Sequence, residues 1–156
     1  MNEKKATLLV VDDVPGNIKA LVSFLAKAYD IRIAKSGPAA LETASSMPID
    51  LILLDIVMPD MDGYEVLGRL KAHEATRDIP VIFLSGMDDA AQQAKGFEMG
   101  AVDFIVKPAQ GVIVNRRVET QLLVQHHKRI IEQQVQARTA ELEAKVRELE
   151  EKLSHA

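Results

Sequence analysis

Cysteine is absent from the 156 residues, and so is tryptophan. Without thiols, neither a disulfide nor a thiolate metal site is open to this chain, which fits a reducing compartment such as the cytoplasm. Aromatic residues are scarce, four Phe and two Tyr, so the core must be built from Val, Ile, Leu, Ala and Met. No apolar run reaches the roughly 20 residues that a membrane-spanning helix needs. The start, Met1-Asn2-Glu3-Lys4-Lys5, is polar, and the apolar run behind it ends at Asp12, too soon for a secretion-signal core with its cleavage site. An excess of positive charge is missing too: 19 basic residues stand against 23 acidic ones, for a net charge of −4. Residues 109–156 hold 8 basic and 7 acidic side chains, leaving 11 and 16 in residues 1–108. Neither part carries the basic stripe of a nucleic-acid binder, so neither nucleic acid nor a membrane is expected as a partner.

What is present is a globular composition, 47% apolar and 27% charged. The length suits one compact domain and an appendage. Short apolar runs alternate with helical patterns. Thr7–Val11, Ile31–Ala34, Leu51–Leu54, Val81–Leu84 and Asp103–Val106 read as strands. Asn17–Ala28 reads as a helix with Ile18, Leu21, Val22 and Leu25 on one face. Ser36-Gly37-Pro38 signals another helix start, Ser36 capping and Pro38 in the first turn. Asp62-Gly63-Tyr64-Glu65 reads as a capping box opening a helix to about Ala72. Asp88 or Asp89 starts a further helix that stops near Gly100. Strand and helix alternate throughout, which predicts an α/β fold with a parallel sheet covered on both faces. Leu51-Ile52-Leu53-Leu54, the third strand, is apolar at every position, as a sheet covered on both faces requires.

From about Gln110 the pattern changes, with neither Pro nor Gly between Val112 and Ala156. Val135, Thr139, Leu142, Val146, Leu149 and Leu153 follow one another at spacings of 4, 3, 4, 3 and 4, a heptad seam whose weak member is Thr139. The register upstream is less clean, and a stutter is expected near Ile131–Val135. Glu141–Lys145, Glu143–Arg147 and Glu148–Lys152 are i,i+4 pairs with the acid first, each adding roughly 0.2–0.5 kcal/mol to the helix. Such pairs cannot hold a helix of this length alone, so the seam needs a partner, and a second copy is the simplest.

In an open parallel sheet, ligands bind beyond the carboxyl ends of the strands. Asp12-Asp13, Asp55, Ser85 and Lys107 fall at four such ends. Three carboxylates side by side repel, and a divalent cation relieves that cost. Mg²⁺ suits because it takes oxygen ligands and often bridges to phosphate. Asp55 can then act as a carboxylate nucleophile toward a phosphoryl donor. Mg²⁺, Lys107 and the Ser85 hydroxyl can each take one oxygen of the transferred group, and Gly86 leaves room for close backbone approach.

Val10-Val11-Asp12-Asp13, Leu54-Asp55-Ile56-Val57-Met58-Pro59-Asp60-Met61-Asp62-Gly63, Leu84-Ser85-Gly86 and Phe104-Ile105-Val106-Lys107-Pro108 together resemble the receiver domains of two-component response regulators. The resemblance covers about residues 6–125. It implies a doubly wound, flavodoxin-like sheet of five parallel strands in the order 2-1-3-4-5. By the same resemblance Asp55 is the phosphoacceptor. Asp12, Asp13, Asp55 and the backbone carbonyl of Val57 bind Mg²⁺, and Lys107 pairs with the phosphoryl oxygens. Ser85 and Phe104 form the switch, and the Lys107–Pro108 peptide is cis. Three positions depart from the commoner pattern: Ser85 stands for Thr, Phe104 for Tyr and Ala109 for Phe. Val57 and Met87, the variable positions near the acceptor, are both apolar.

The domain organisation expected is a receiver over residues 1–125 and a coiled-coil dimerisation or linker helix over 126–156. The implied partners are a sensor histidine kinase or phosphotransfer protein, a second copy joined through residues 110–153, and a downstream catalytic domain that this chain lacks. The chain itself is expected to be a signalling switch rather than an enzyme. Two other functions compete. A Mg²⁺-dependent phosphatase working through an aspartyl-phosphate would want an Asp-x-Asp pattern, whereas Asp12 and Asp13 are adjacent. A phosphorylation-independent coiled-coil scaffold would be marked by loss of an acidic residue or of Lys107. Blander roles are also open to single residues. Asp12 and Asp13 could merely cap a helix, Phe104 could be core, and Asp60 and Asp62 read as turn and cap. His73 reads as a solvated helix residue, and the adjacent His126 and His127 lack the i,i+4 spacing of a metal pair.

Overall fold

A computed structural model describes residues 4–86 and 89–156. Met87, and Asp88 as a helix start, lie outside the described residues. Along the chain run β1 (Thr7–Val11), α1 (Pro15–Leu25), β2 (Asp30–Ala34), α2 (Gly37–Ser46), β3 (Leu51–Asp55), α3 (Gly63–Ala72), β4 (Val81–Ser85), α4 (Ala90–Glu98), β5 (Asp103–Val106) and α5 (Gly111–Ser154). All five strands join one parallel sheet in the order β2-β1-β3-β4-β5, as expected.

The two-residue period of a strand sorts the apolar side chains onto opposite faces. Leu8 and Val10 of β1 and Leu51 and Leu53 of β3 pack with Leu21 and Leu25 of α1 and Val114 and Val118 of α5. On the other face Leu9, Val11, Ile52, Leu54 and Phe83 pack with Ala40 and Ala44 of α2 and Val66, Leu67 and Leu70 of α3. The strands β3 and β4 are buried at every position because both faces are covered.

Local chemistry sets the helix ends. The Ser36 side chain accepts from Ala39 N–H at 3.2 Å and the Asp62 carboxylate from Glu65 N–H at 2.9 Å, both as predicted. The reciprocal half of the capping box does not form, because Glu65 pairs with Arg69 one turn on, at 2.9 Å. Asp89 caps α4 through Ala91 N–H, and Gly100 follows that helix at φ +108°, a conformation open to Gly at little cost. α1 starts at Pro15 and stops at Leu25, two residues before and three before the ends expected. Its start is set by Pro15 at the first helical position, where a missing N–H costs nothing.

The chain divides into two compact units, Met1–Leu122 and Leu123–Ala156. The second is helical up to Ser154 and exposes its seam, Val135 at 58%, Leu142 at 47%, Val146 at 52% and Leu149 at 52%. Lys152 meets Glu148 at 2.9 Å as expected, whereas Glu141 meets Arg138, at 3.1 Å. Among the described residues no helix is long and apolar enough to cross a membrane.

Candidate functional site

The register of the sheet brings the carboxyl ends of four strands to one rim. Asp55, the last residue of β3, pairs with Leu84, and Ser85, the last of β4, pairs with Val106. Asp12 and Asp13 follow directly on β1, and Lys107 on β5. Asp12 does not cap α1: its Oδ1 accepts from Val14 N–H at 2.9 Å in the loop, and Val14 precedes the helix without a side-chain cap. The peptide between Lys107 and Pro108 is cis.

One carboxylate oxygen from each of Asp12, Asp13 and Asp55 lies within 4.8 Å of the others. Against them stands Lys107, whose Nζ is 3.0 Å from Asp55 Oδ1 and 3.2 Å from Asp12 Oδ2. Asp12 is fully buried, while Asp55 and Ser85 are nearly so. Burial pushes the Asp55 carboxyl up from the usual carboxylate range. The Lys107 bond lowers it, the Asp12 charge raises it, and the Lys107 charge and a backbone bond from Val57 lower it again, leaving it raised. Burial alone pulls the Lys107 ammonium down, but its contacts with Asp55 and Asp12 outweigh that and leave it raised. Three carboxylates thus cluster with one ammonium, which pairs with Asp12 and Asp55, an excess of negative charge that a divalent cation with oxygen ligands fits. Val57 is 74% exposed beside this cluster.

Phe104 lies inside, 6% exposed, its ring 5.3 Å from that of Phe83 and 5.6 Å from that of Phe97. Gly96 of α4 makes room for it: a Cβ there would lie 2.6 Å from Phe104 Cε2 and 3.0 Å from Phe83 Cδ2. Gly96→Ala in a helix interior would ordinarily stabilise by up to about 1 kcal/mol. Here the opposite sign is expected, a loss of about 1–2 kcal/mol read as a lower melting midpoint, because the added methyl must displace a packed ring. Beside Phe104, a groove of about 630 Å³ is lined by residues including Gln93, Phe97, Val106 and Ile113.

Sequence reasoning brought Asp12, Asp13, Asp55, Ser85 and Lys107 to this rim but assigned no role to three residues that fix how the elements around it pack. Gly63 fits against the backbone of Asp55 and Ile56, its N–H donating to Ile56 O at 2.8 Å. Gly96 is the second. The third, Asn115, donates from Nδ2 to Phe24 O at 3.1 Å and to Gly111 O at 2.8 Å, tying the start of α5 to the end of α1. Gly63 closes the Leu54–Gly63 motif and follows the Asp62 cap, but neither mark gives it a role of its own, and nothing local marks the other two.

Such a sheet, with an acidic cluster and a lysine at its carboxyl rim, defines a response-regulator receiver. Residues 8–118 match the response regulator receiver domain family, and the chain belongs to it. It is a receiver domain of two-component signalling. A probable cyclic di-GMP phosphodiesterase of Vibrio cholerae is 46% identical over 127 residues, 81% of this chain and 29% of that protein. The response regulator PleD of Caulobacter vibrioides is 40% identical over 116 residues, 74% of this chain and 26% of that one. The chain therefore spans less than a third of the length of these relatives. Among solved structures, a putative response regulator from Chloroflexus aurantiacus superposes with a TM-score of 0.74 at 33% identity, covering 77% of this chain and 99% of that one.

Proposed function

We propose that Asp55 accepts a phosphoryl group from a sensor histidine kinase or phosphotransfer protein in the cytoplasm, and that the change is passed on through a dimeric C-terminal helix. The observation that carries this reading is the Lys107 ammonium bridging Asp55 and Asp12 within an otherwise acidic cluster. A carboxylate oxygen of Asp55 attacks phosphorus. The new P–O bond forms as the P–N bond to the donor imidazole breaks, the imidazole leaves, and an acyl phosphate remains on Asp55. Asp12, Asp13, Asp55 and the Val57 carbonyl would hold Mg²⁺, which when bound would offset charge on the phosphoryl oxygens. Lys107 exchanges its bond to the Asp55 carboxylate for one to a phosphoryl oxygen, and the Ser85 hydroxyl donates to another.

Ser85 and Phe104 then act as the switch, Ser85 moving toward the phosphoryl group and Phe104 following it. Re-packing of the α4–β5–α5 face biases the coil of α5, whose stutter near Ile131–Val135 provides an element with two arrangements. Residues 1–125 act as the receiver and 126–156 as the coiled-coil linker, with the two copies meeting through residues 110–153. The catalytic output lies in a further domain. The name of the Vibrio relative, of which this chain matches 29%, makes a cyclic-dinucleotide enzyme the favoured kind.

The test is to incubate the chain with Mg²⁺ and a small phosphodonor and to measure intact mass. A stoichiometric gain of one phosphoryl group is expected, absent in Asp55→Asn. Rapid multiple turnover of the donor would point instead to a phosphatase, and no gain at all to a phosphorylation-independent scaffold.

A further inference from the structure

We propose that the charges flanking the exposed seam of α5 specify its occupant as a second copy of this chain, parallel and in register. This rests on the reading of α5 as a dimer helix and adds to it orientation, alignment and the residues that enforce them. The spacing of the seam assigns heptad positions: Thr139, Val146 and Leu153 are a, and Val135, Leu142 and Leu149 are d. A β-branched residue at a with Leu at d, as in Val146 between Leu142 and Leu149, favours two strands.

The flanking positions then fall into two rows. Position g is basic throughout, Arg138, Lys145 and Lys152, whereas position e holds Gln136, Glu143 and Glu150. In a parallel, in-register pair each g residue faces the e residue five positions further along the other helix. Arg138 therefore meets Glu143 of the second copy, and Lys145 meets Glu150 of the second copy, each pair occurring twice by symmetry. In an antiparallel pair g faces g and e faces e, which would set a basic row against a basic row and an acidic row against an acidic one. The same pattern disfavours a staggered parallel pair, which loses these matches. Within one chain Arg138 is held by Glu141 at 3.1 Å, but that pair is exposed, 66% and 68%, and so yields readily to the new contact. Arg147, Glu148 and Glu151 lie at b, c and f, away from the seam.

The absence of cysteine allows a direct test on the whole 156-residue chain. Leu149→Cys, at the seam, is expected to give a homodisulfide dimer under mild oxidation, while Glu141→Cys, at an outer position, is expected to stay monomeric on a non-reducing gel. In a mixture of Thr139→Cys and Leu149→Cys chains, each should cross-link to its own kind. Cross-linking of Thr139→Cys to Leu149→Cys would mean an antiparallel coil, in which a faces d, and would overturn the proposal. By sedimentation, Lys145→Glu should weaken the dimer roughly tenfold by setting like charges opposite, and Lys145→Glu with Glu150→Lys should restore it. A parent chain that stays monomeric at micromolar concentration, or a dimer indifferent to Lys145→Glu, would also overturn it. Intact mass after phosphodonor treatment of the same samples keeps the two readings apart. Phosphoryl gain without dimer sinks the coil alone, and dimer without phosphoryl gain sinks the acceptor role alone.

Discussion

Replacing Gly63 by Ala is expected to lower stability by about 3 kcal/mol, a fall of roughly 10 °C in melting midpoint, and to slow phosphoryl uptake at Asp55 as well. A Cβ at Gly63 would sit 2.6 Å from the Asp55 carbonyl oxygen and 2.8 Å from Ile56 Cα, with Phe83 Cε1 at 3.1 Å. The first two are backbone atoms at the end of a central strand, which cannot move aside as the tip of a side chain can. Relief requires either the start of α3 or the end of β3 to shift, and β3 carries Asp55. The better helix propensity of Ala returns at most about 1 kcal/mol of the loss. Thermal melts, together with the rate of mass gain from a small phosphodonor, check both parts. A variant that melts within about 2 °C of the parent would show that α3 relaxes freely.

Lys107→Met is expected to act differently, through charge rather than shape. Removing one partner of a buried ion pair leaves the other charged and unpaired, at a cost of several kcal/mol when burial is complete. The Lys107 side chain is 23% exposed while those of Asp12 and Asp55 are 0% and 6%, so about 2 kcal/mol is a fair expectation after discounting for solvent. The pH dependence identifies the cause. Asp55 has a raised carboxyl in the folded state, so its contribution is fully present below its unfolded pKa and is lost as pH rises through the folded value. Lys107 supplies contacts that lower it, and removing them raises it further. The gap in melting midpoint between parent and variant should therefore widen as pH rises above the ordinary carboxylate range, measured in chelator. A gap constant with pH would mean that lost packing of the lysine stem, not charge, is responsible. Phosphoryl uptake should fall by roughly 100-fold, as for loss of one donor to a developing oxyanion.

These two residues differ in how visible they are in the sequence. Lys107 could be found because its position depends only on strand order: a polar residue just past a short apolar run falls at the carboxyl rim of a parallel sheet. The same holds for Asp12, Asp13, Asp55 and Ser85; alternation implied the parallel sheet, and the strand order followed from the resemblance. Gly63 could not be weighted in this way, since its importance lies in what approaches it from β3 and β4, and that approach exists only once the sheet is assembled. Gly96 against Phe104 and Asn115 against Phe24 are the same case. Element ends were legible where a side chain caps them, at Ser36 and Asp62, and drifted where backbone alone decides, as at Leu25. The capping box was half legible, because Glu65 had a choice between the backbone behind it and Arg69 ahead of it, and spacing cannot rank the two.

In α5, the fully buried residues are Val114 and Val118, both within its first two and a half turns. Leu122, half-buried, is the last residue of α5 to pack against this core. Substitutions, and changes of length in whole heptads, can accumulate beyond it without taxing the fold. A receiver of this build is expected to be graftable: the same sheet and carboxyl rim can stand ahead of different helices.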